Sequence, residues 1–221
     1  MSVEMITDYI ILICCQISFL YGFFAILIQK KPLYLKMIVM SVACMMVSRI
    51  SVVLQYLTKG DTINDFNVSM LGLLGCFLFL FSANFGVIDS LADDGSSIFF
   101  KYRLISYVAP IILLASYLSV FLFKHTDKEM IATILIVLCI SMSSKYHLKH
   151  IIFPDIEYGI IRAIRGYNAV ALLLCISTTV WLISHVYGQN YLYLATGILI
   201  SICCLIIIPL LQKEAKKWTV I

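Results

Sequence analysis

NVSMLGLLGCFLFLFSANFGVIDS, residues 67–90, decides how the rest of the chain is read. It follows a polar turn (Gly60, Asp61, Asn64, Asp65, Asn67) and runs apolar from Met70 to Phe81. It then takes up Ser82, Asn84, Gly86 and Asp89 before the acidic turn Asp93–Asp94–Gly95. About 20 mostly apolar residues cross a bilayer as helix, and a helix satisfies its own backbone there. Gly72, Gly75, Ser82 and Gly86, with Phe79 among them, recur at steps of three and four. Such a stripe of small residues lets helices approach closely where lipid leaves no hydrophobic drive between them. The stretch reads as the central helix of a membrane bundle.

The composition agrees. Of 221 residues, 62% are hydrophobic and 13% charged, with a mean hydropathy of +1.01. Soluble domains carry roughly 25% charged residues, and this chain folded in water would expose too much apolar surface. No linker, low-complexity segment or internal repeat divides it, so one domain over residues 1–221 is expected. The fold class is all-α, with seven transmembrane helices near 9–28, 37–57, 68–90, 105–123, 130–144, 169–186 and 192–211. The fifth run is short before Lys145. It is expected to continue as helix, with Lys145 and Lys149 snorkelling to the headgroups.

Residues 1–8 contain no Lys or Arg and carry Glu4 and Asp8, unlike a cleavable signal. All eight cysteines fall inside the expected spans with no Cys-x-x-Cys pair, so they read as small apolar fillers.

Charge sets the orientation. The first, third and fifth connections and the C-terminal tail hold 12 of the 16 Lys and Arg, against 3 in the N-terminus and the other connections. The basic side is cytoplasmic. The expectation is therefore an N-terminus outside and a C-terminus inside, in a cell (inner) membrane. Low charge, short loops and Ile/Lys/Tyr usage suggest a bacterial one.

Two cytoplasmic connections are more than turns. Residues 92–103 join an acidic turn to an aromatic, basic ledge: Phe99, Phe100 and Tyr102 suit the headgroup boundary, and Lys101 and Arg103 suit anionic lipid. Residues 153–167 place Pro154, Asp155 and Glu157 at a helix start. Ile156, Ile160, Ala163, Ile164 and Tyr167 lie on one face, with Arg162 and Arg165 off it. This segment is an interfacial amphipathic helix or an inner extension of the sixth span.

The residue that sets the functional question is Arg49, 12 positions into the second span. An Arg at mid-membrane costs about 2.5–3.5 kcal/mol on insertion scales. Ser41, Cys44, Ser48, Ser51 and Gln55 form a small, polar stripe beside it. Counted from the outer ends, Arg49 lies roughly 13 Å deep, and Gln16 on the first span lies at a similar depth. Asp8, Gln55, Asp61, Asp65, His185 and Gln189 are candidates for the outer rim. Two readings stand. Arg49, Gln16, Gln55, Asp65 and His185 bind a small anionic ligand from outside, or Arg49 is locked by Gln16, Asp65 or backbone carbonyls and only fixes packing.

On the inner side, Asn84, Asp89, Asp93, Asp94, Lys101 and Arg103 suit a charge network, a gate or a partner site, and Arg162 and Arg165 suit docking of a cytoplasmic partner. The alternatives are plain helix capping and membrane anchoring. Pro110 and Pro209 are expected to kink the fourth and seventh spans.

Enzyme classes find no support. There is no H-E-x-x-H, no G-x-S-x-G, no phosphate-binding loop and no dinucleotide fingerprint. The last span lacks the lysine that a retinal protein needs. No cofactor, metal or nucleic-acid partner is expected. What remains is a receptor-like module that binds an external ligand and signals to a cytoplasmic partner, or a small-solute or ion transporter or channel. Spans four and five offer little polar lining for a conduit, which tilts the reading to the receptor.

Overall fold

Seven helices of 16–27 residues carry the apolar runs. They are α1 (Val3–Gly22), α2 (Leu33–Lys59), α3 (Val68–Ala83), α5 (Val108–Phe123), α6 (Lys128–Ile152), α7 (Ile160–Val186) and α8 (Asn190–Ala215), with a short α4 (Phe100–Ile105) before α5. The computed structural model describes residues 2–59, 68–85, 89, 93, 95–123, 128–154 and 160–215, and every regular element among them is helical.

Helix starts follow local chemistry. The Ser2 hydroxyl accepts from the Met5 amide at 3.2 Å, and Glu4 sits in the first turn against the positive helix end. α1 therefore begins six residues ahead of the expected span, and Asp8 lies inside the helix rather than on a rim. The fourth span is broken at Ser106–Tyr107, between α4 and α5. Pro110 falls in the first turn of α5, near the end of the expected span, where a missing N–H costs little and the chain is already broken at Ser106–Tyr107. Pro209 does lie inside α8.

Five described helical stretches are long and apolar enough to cross a membrane: Val3–Leu27, Leu33–Thr58, Ser97–Val120, Ile161–Val186 and Asn190–Ala215. Val68–Ala83 is apolar but shorter. α6 spans 25 residues, its far end carrying Lys145, His147, Lys149 and His150.

The helices α1, α2, α3, α6, α7 and α8 pack in that order into a ring, α8 closing on α1, while α5 packs outside against α6 and α7. One apolar core fills the ring, including Ile38, Phe77, Leu80, Ile140, Leu174 and Ile207. The small-residue stripe of α3 works as read where it is described. A Cβ on Gly72 would come within 2.7 Å of the Cys44 carbonyl oxygen, and one on Gly75 within 3.1 Å of the Cys44 sulfur. Phe79 is half-buried, Leu78 faces outward, and Gly86 lies outside the described residues. All eight cysteines are free thiols, and Cys15, Cys76, Cys175, Cys203 and Cys204 are buried between helices.

α7 is one helix from Ile160 to Val186. Ile161, Ala163, Ile164 and Tyr167 are buried, and Arg162 and Arg165 are exposed. The start of α7 thus continues as one helix into the apolar run at 169–186, the extension reading rather than a separate helix. Residues 155–159, including Asp155, Ile156 and Glu157, lie outside the described residues.

Candidate functional site

Polar groups gather at two opposite ends of the ring. At the first end, Arg49 is 2% exposed and Asp8 1%. An Arg in this position must be paired, and its partner is Asp8: Arg49 Nη1 donates to Asp8 Oδ1 at 2.7 Å. Arg49 Nη2 donates to the Ser48 hydroxyl at 2.8 Å and to Ser69 at 3.2 Å. The Tyr56 hydroxyl donates to the other oxygen of Asp8 at 3.3 Å. The guanidinium lies 4.8 Å over the Trp181 ring, which stacks at 4.9 Å on Tyr193. One arginine therefore ties α1, α2, α3 and α7 together.

The expected neighbours of Arg49 fare differently. Gln16 is exposed on the outer face of α1 and does not share the site. At the phase α1 adopts, Asp8, Ile11, Cys15 and Ser18 point inward and Gln16 points away. Gln55 is half-buried on α2, and Asp65 lies outside the described residues. His185 is at the rim, 57% exposed, with Nδ1 3.2 Å from Glu4. Sequence reading passed over Trp181, Tyr56 and Ser69; an aromatic within reach of a buried Arg was the available signal.

At the other end, Asn84, one residue past the end of α3, and His147 and Asn168, on α6 and α7, are fully buried. His147 Nδ1 lies 2.7 Å from Asn84 Nδ2 and 2.9 Å from Asn168 Oδ1, and Asn168 is anchored by donating to the Ile164 carbonyl at 3.0 Å. Beyond this web lies a charge network. Lys149 Nζ contacts Asp89 at 2.6 Å and Asp93 at 2.8 Å, and His150 Nε2 is 3.3 Å from Asp89. Arg103 grips both oxygens of Asp93, Nε at 2.8 Å and Nη2 at 2.9 Å. The Gly95 amide donates to the same carboxylate at 3.0 Å, from a turn whose positive φ of 81° suits glycine.

Asp89, Asp93 and Arg103 are thus brought together as the charge pattern suggested, with Asn84 just beyond and Asp94 outside the described residues. Lys149 is a correction. It is 5% exposed and ion-paired, not snorkelling, because two carboxylates meet it inside the bundle. Lys145 does reach outward, donating to the Tyr107 hydroxyl at 2.7 Å. Lys101 lies over the Tyr102 ring, whereas Arg103 turns to Asp93 and not to lipid. Burial alone would raise the Asp93 carboxyl, but hydrogen bonds from Arg103, Lys149 and Gly95 outweigh it and hold Asp93 at about 2. Arg162 is exposed, and Arg165 donates to the Phe153 carbonyl at 3.0 Å, tying α7 to the end of α6.

Between the two ends the ring is apolar. Several hydroxyls there are spent on helix carbonyls, Ser18 on Cys204 at 2.6 Å, Ser201 on Gly197 at 2.8 Å and Thr179 on Cys175 at 3.0 Å, whereas Ser141 and Thr178 are buried without a hydrogen-bond partner among the described residues.

The length and apolarity of these helices are compatible with an integral membrane protein in contact with a lipid bilayer. Compared with models of known protein families, with curated proteins and with solved structures, the chain matches none.

Proposed function

We propose that the chain is a seven-span receptor-like module of the cell membrane, N-terminus outside and C-terminus inside. It takes a small anionic external ligand at the Arg49 end and reports to a cytoplasmic partner through residues 89–107. The observation that carries this reading is the separation of the two polar ends by an apolar middle. A transporter needs polar groups along its path; in the middle Ser18, Thr179 and Ser201 are bonded to helix carbonyls, while Ser141 and Thr178, buried without a hydrogen-bond partner among the described residues, are too few to line one. The inner network suits an output surface: Asp93, Arg103 and Lys149 link the segment before α5 to the end of α6, so a shift of α6 moves that segment.

One observation favours the alternative of a small-solute or ion transporter. Asn84 Oδ1, His147 Nε2 and Tyr167 OH are buried without a hydrogen-bond partner among the described residues, which leaves the inner end able to hold a polar guest.

Flux separates the two. Sealed proteoliposomes carrying the purified protein should show no protein-dependent uptake of labelled acetate, phosphate, sodium or potassium. Sustained uptake of any of them would replace the receptor reading with the transporter.

A further inference from the structure

Arg49 has five N–H donors and Trp181 one, and neither side chain can accept. Four of those donors sit on Nη1 and Nη2 of Arg49, which face Asp8, Ser48 and Ser69. The remaining two, Arg49 Nε and Trp181 Nε1, are buried without a partner among the described residues. Both side chains are more than nine-tenths buried, and they are in face contact, the guanidinium carbon 4.8 Å from the ring centre. A buried Trp N–H ordinarily finds an acceptor, and an unmatched donor beside a formal positive charge is costlier still. Two orphaned donors on neighbouring side chains ask for one guest that brings acceptors and no donors of its own to that face.

We propose that a small carboxylate binds at this place, one oxygen taking Arg49 Nε–H and the other Trp181 Nε1–H, while Asp8 stays on Arg49 Nη1. This rests on the ligand reading of Arg49 and names its chemistry and its second anchor. The carboxylate is preferred over a neutral carbonyl because hydrogen bonds from a guanidinium to an anion are about twice as strong as neutral ones. Asp8 then acts as a positioning residue, holding the guanidinium so that Nε faces away from it. A column of aromatic rings joins the site to the rim: Trp181 lies against Tyr193, and Tyr193 is 5.8 Å from His185, which is exposed.

The discriminating variant is Trp181→Phe, which keeps a ring over Arg49 and deletes only the unmatched donor with part of the indole. Thermal unfolding of the full chain in nanodiscs is followed with sodium acetate, sodium benzoate and sodium chloride at equal ionic strength. The wild type should gain a few degrees, saturably, with at least one of the two carboxylates over chloride. Trp181→Phe, which leaves a small cavity, should melt somewhat below the wild type in chloride and show no carboxylate gain over its own chloride baseline. A gain that persists in Trp181→Phe overturns this binding mode while leaving an external anion site in place elsewhere. No gain with either carboxylate also overturns it, and the two donors then face water only. Neither result depends on flux, so the proposal and the receptor reading fall separately.

Discussion

At the scale of the residue, Arg49 and Asp8 set the terms. A buried ion pair is weak evidence for stability as such, but removing one partner strands the other, at about 3–5 kcal/mol. Arg49→Leu is therefore expected to melt well below wild type in detergent, and the double variant Asp8→Leu/Arg49→Leu to recover most of that loss. A single variant melting like wild type would mean that Asp8 is not held as a charge by Arg49. Because Arg49→Leu strands Asp8 whatever else Arg49 does, it does not report on a ligand. Gly72 offers an independent residue test. Its missing Cβ would collide with the Cys44 carbonyl oxygen and the Cβ of Ser48, both at 2.7 Å, and backbone cannot swing aside. Gly72→Leu should cost about 1–3 kcal/mol or more by overpacking, and Leu78→Ile, on the outward face, almost nothing. Equal melting temperatures for the two would show that α3 does not pack on α2 along this stripe.

At the scale of the element, the segment from Asp89 through α4 is held to α6 by charge. Asp93→Asn keeps the shape but gives up the charge-assisted bonds to Arg103 and Lys149, an expected loss of roughly 1–3 kcal/mol. The pH dependence has a definite sign. The Asp93 carboxyl is held down at about 2, so its contribution is complete above the ordinary carboxylate range, near 3.9. It is lost as pH falls from there through about 2. The melting difference between wild type and Asp93→Asn should therefore be constant from about pH 8 to pH 5 and narrow below about pH 4. A difference that instead varies between pH 6 and 8 would show that Asp93 is not the controlling group. At the start of α7, Arg162 is the clean probe of a docking surface, since Arg165 is committed to the Phe153 carbonyl.

At the scale of the whole molecule, the orientation expected from basic residues is open to direct measurement. In a background with the eight native cysteines replaced, single cysteines at positions 62 and 126 should label from outside sealed cells. Those at 95, 155 and 217 should label only after permeabilisation. External labelling at 217 would invert the topology, and labelling of 95 and 155 from opposite sides would change the number of spans between them. The ring order matters here too. Because α8 closes on α1, the Arg49 end is assembled from α1, α2 and α3 together with α7 and α8, elements far apart in sequence.

Each hydrophobic run was legible as helix from length and hydropathy alone, because a helix satisfies its backbone within one segment; five described stretches are long and apolar enough to cross a membrane. The inward face of α3 was legible too, because Gly72 and Gly75 have no use on a lipid-facing surface. Arg49 could be identified as a paired or functional group from insertion cost, without any knowledge of its neighbours. Which neighbour it chose was another matter. The helix start at Ser2 shifted Asp8 from the rim into the bundle, and the phase of α1 turned Gln16 outward; both depend on where helix caps fall and how helices rotate against one another. The burial of Lys149 between Asp89 and Asp93 was likewise decided by tertiary structure, since a lysine near a helix end snorkels unless carboxylates from other segments are brought within hydrogen-bond distance. Periodicity and hydropathy are properties of one segment at a time, whereas ion pairs and orphaned donors arise only where several segments meet.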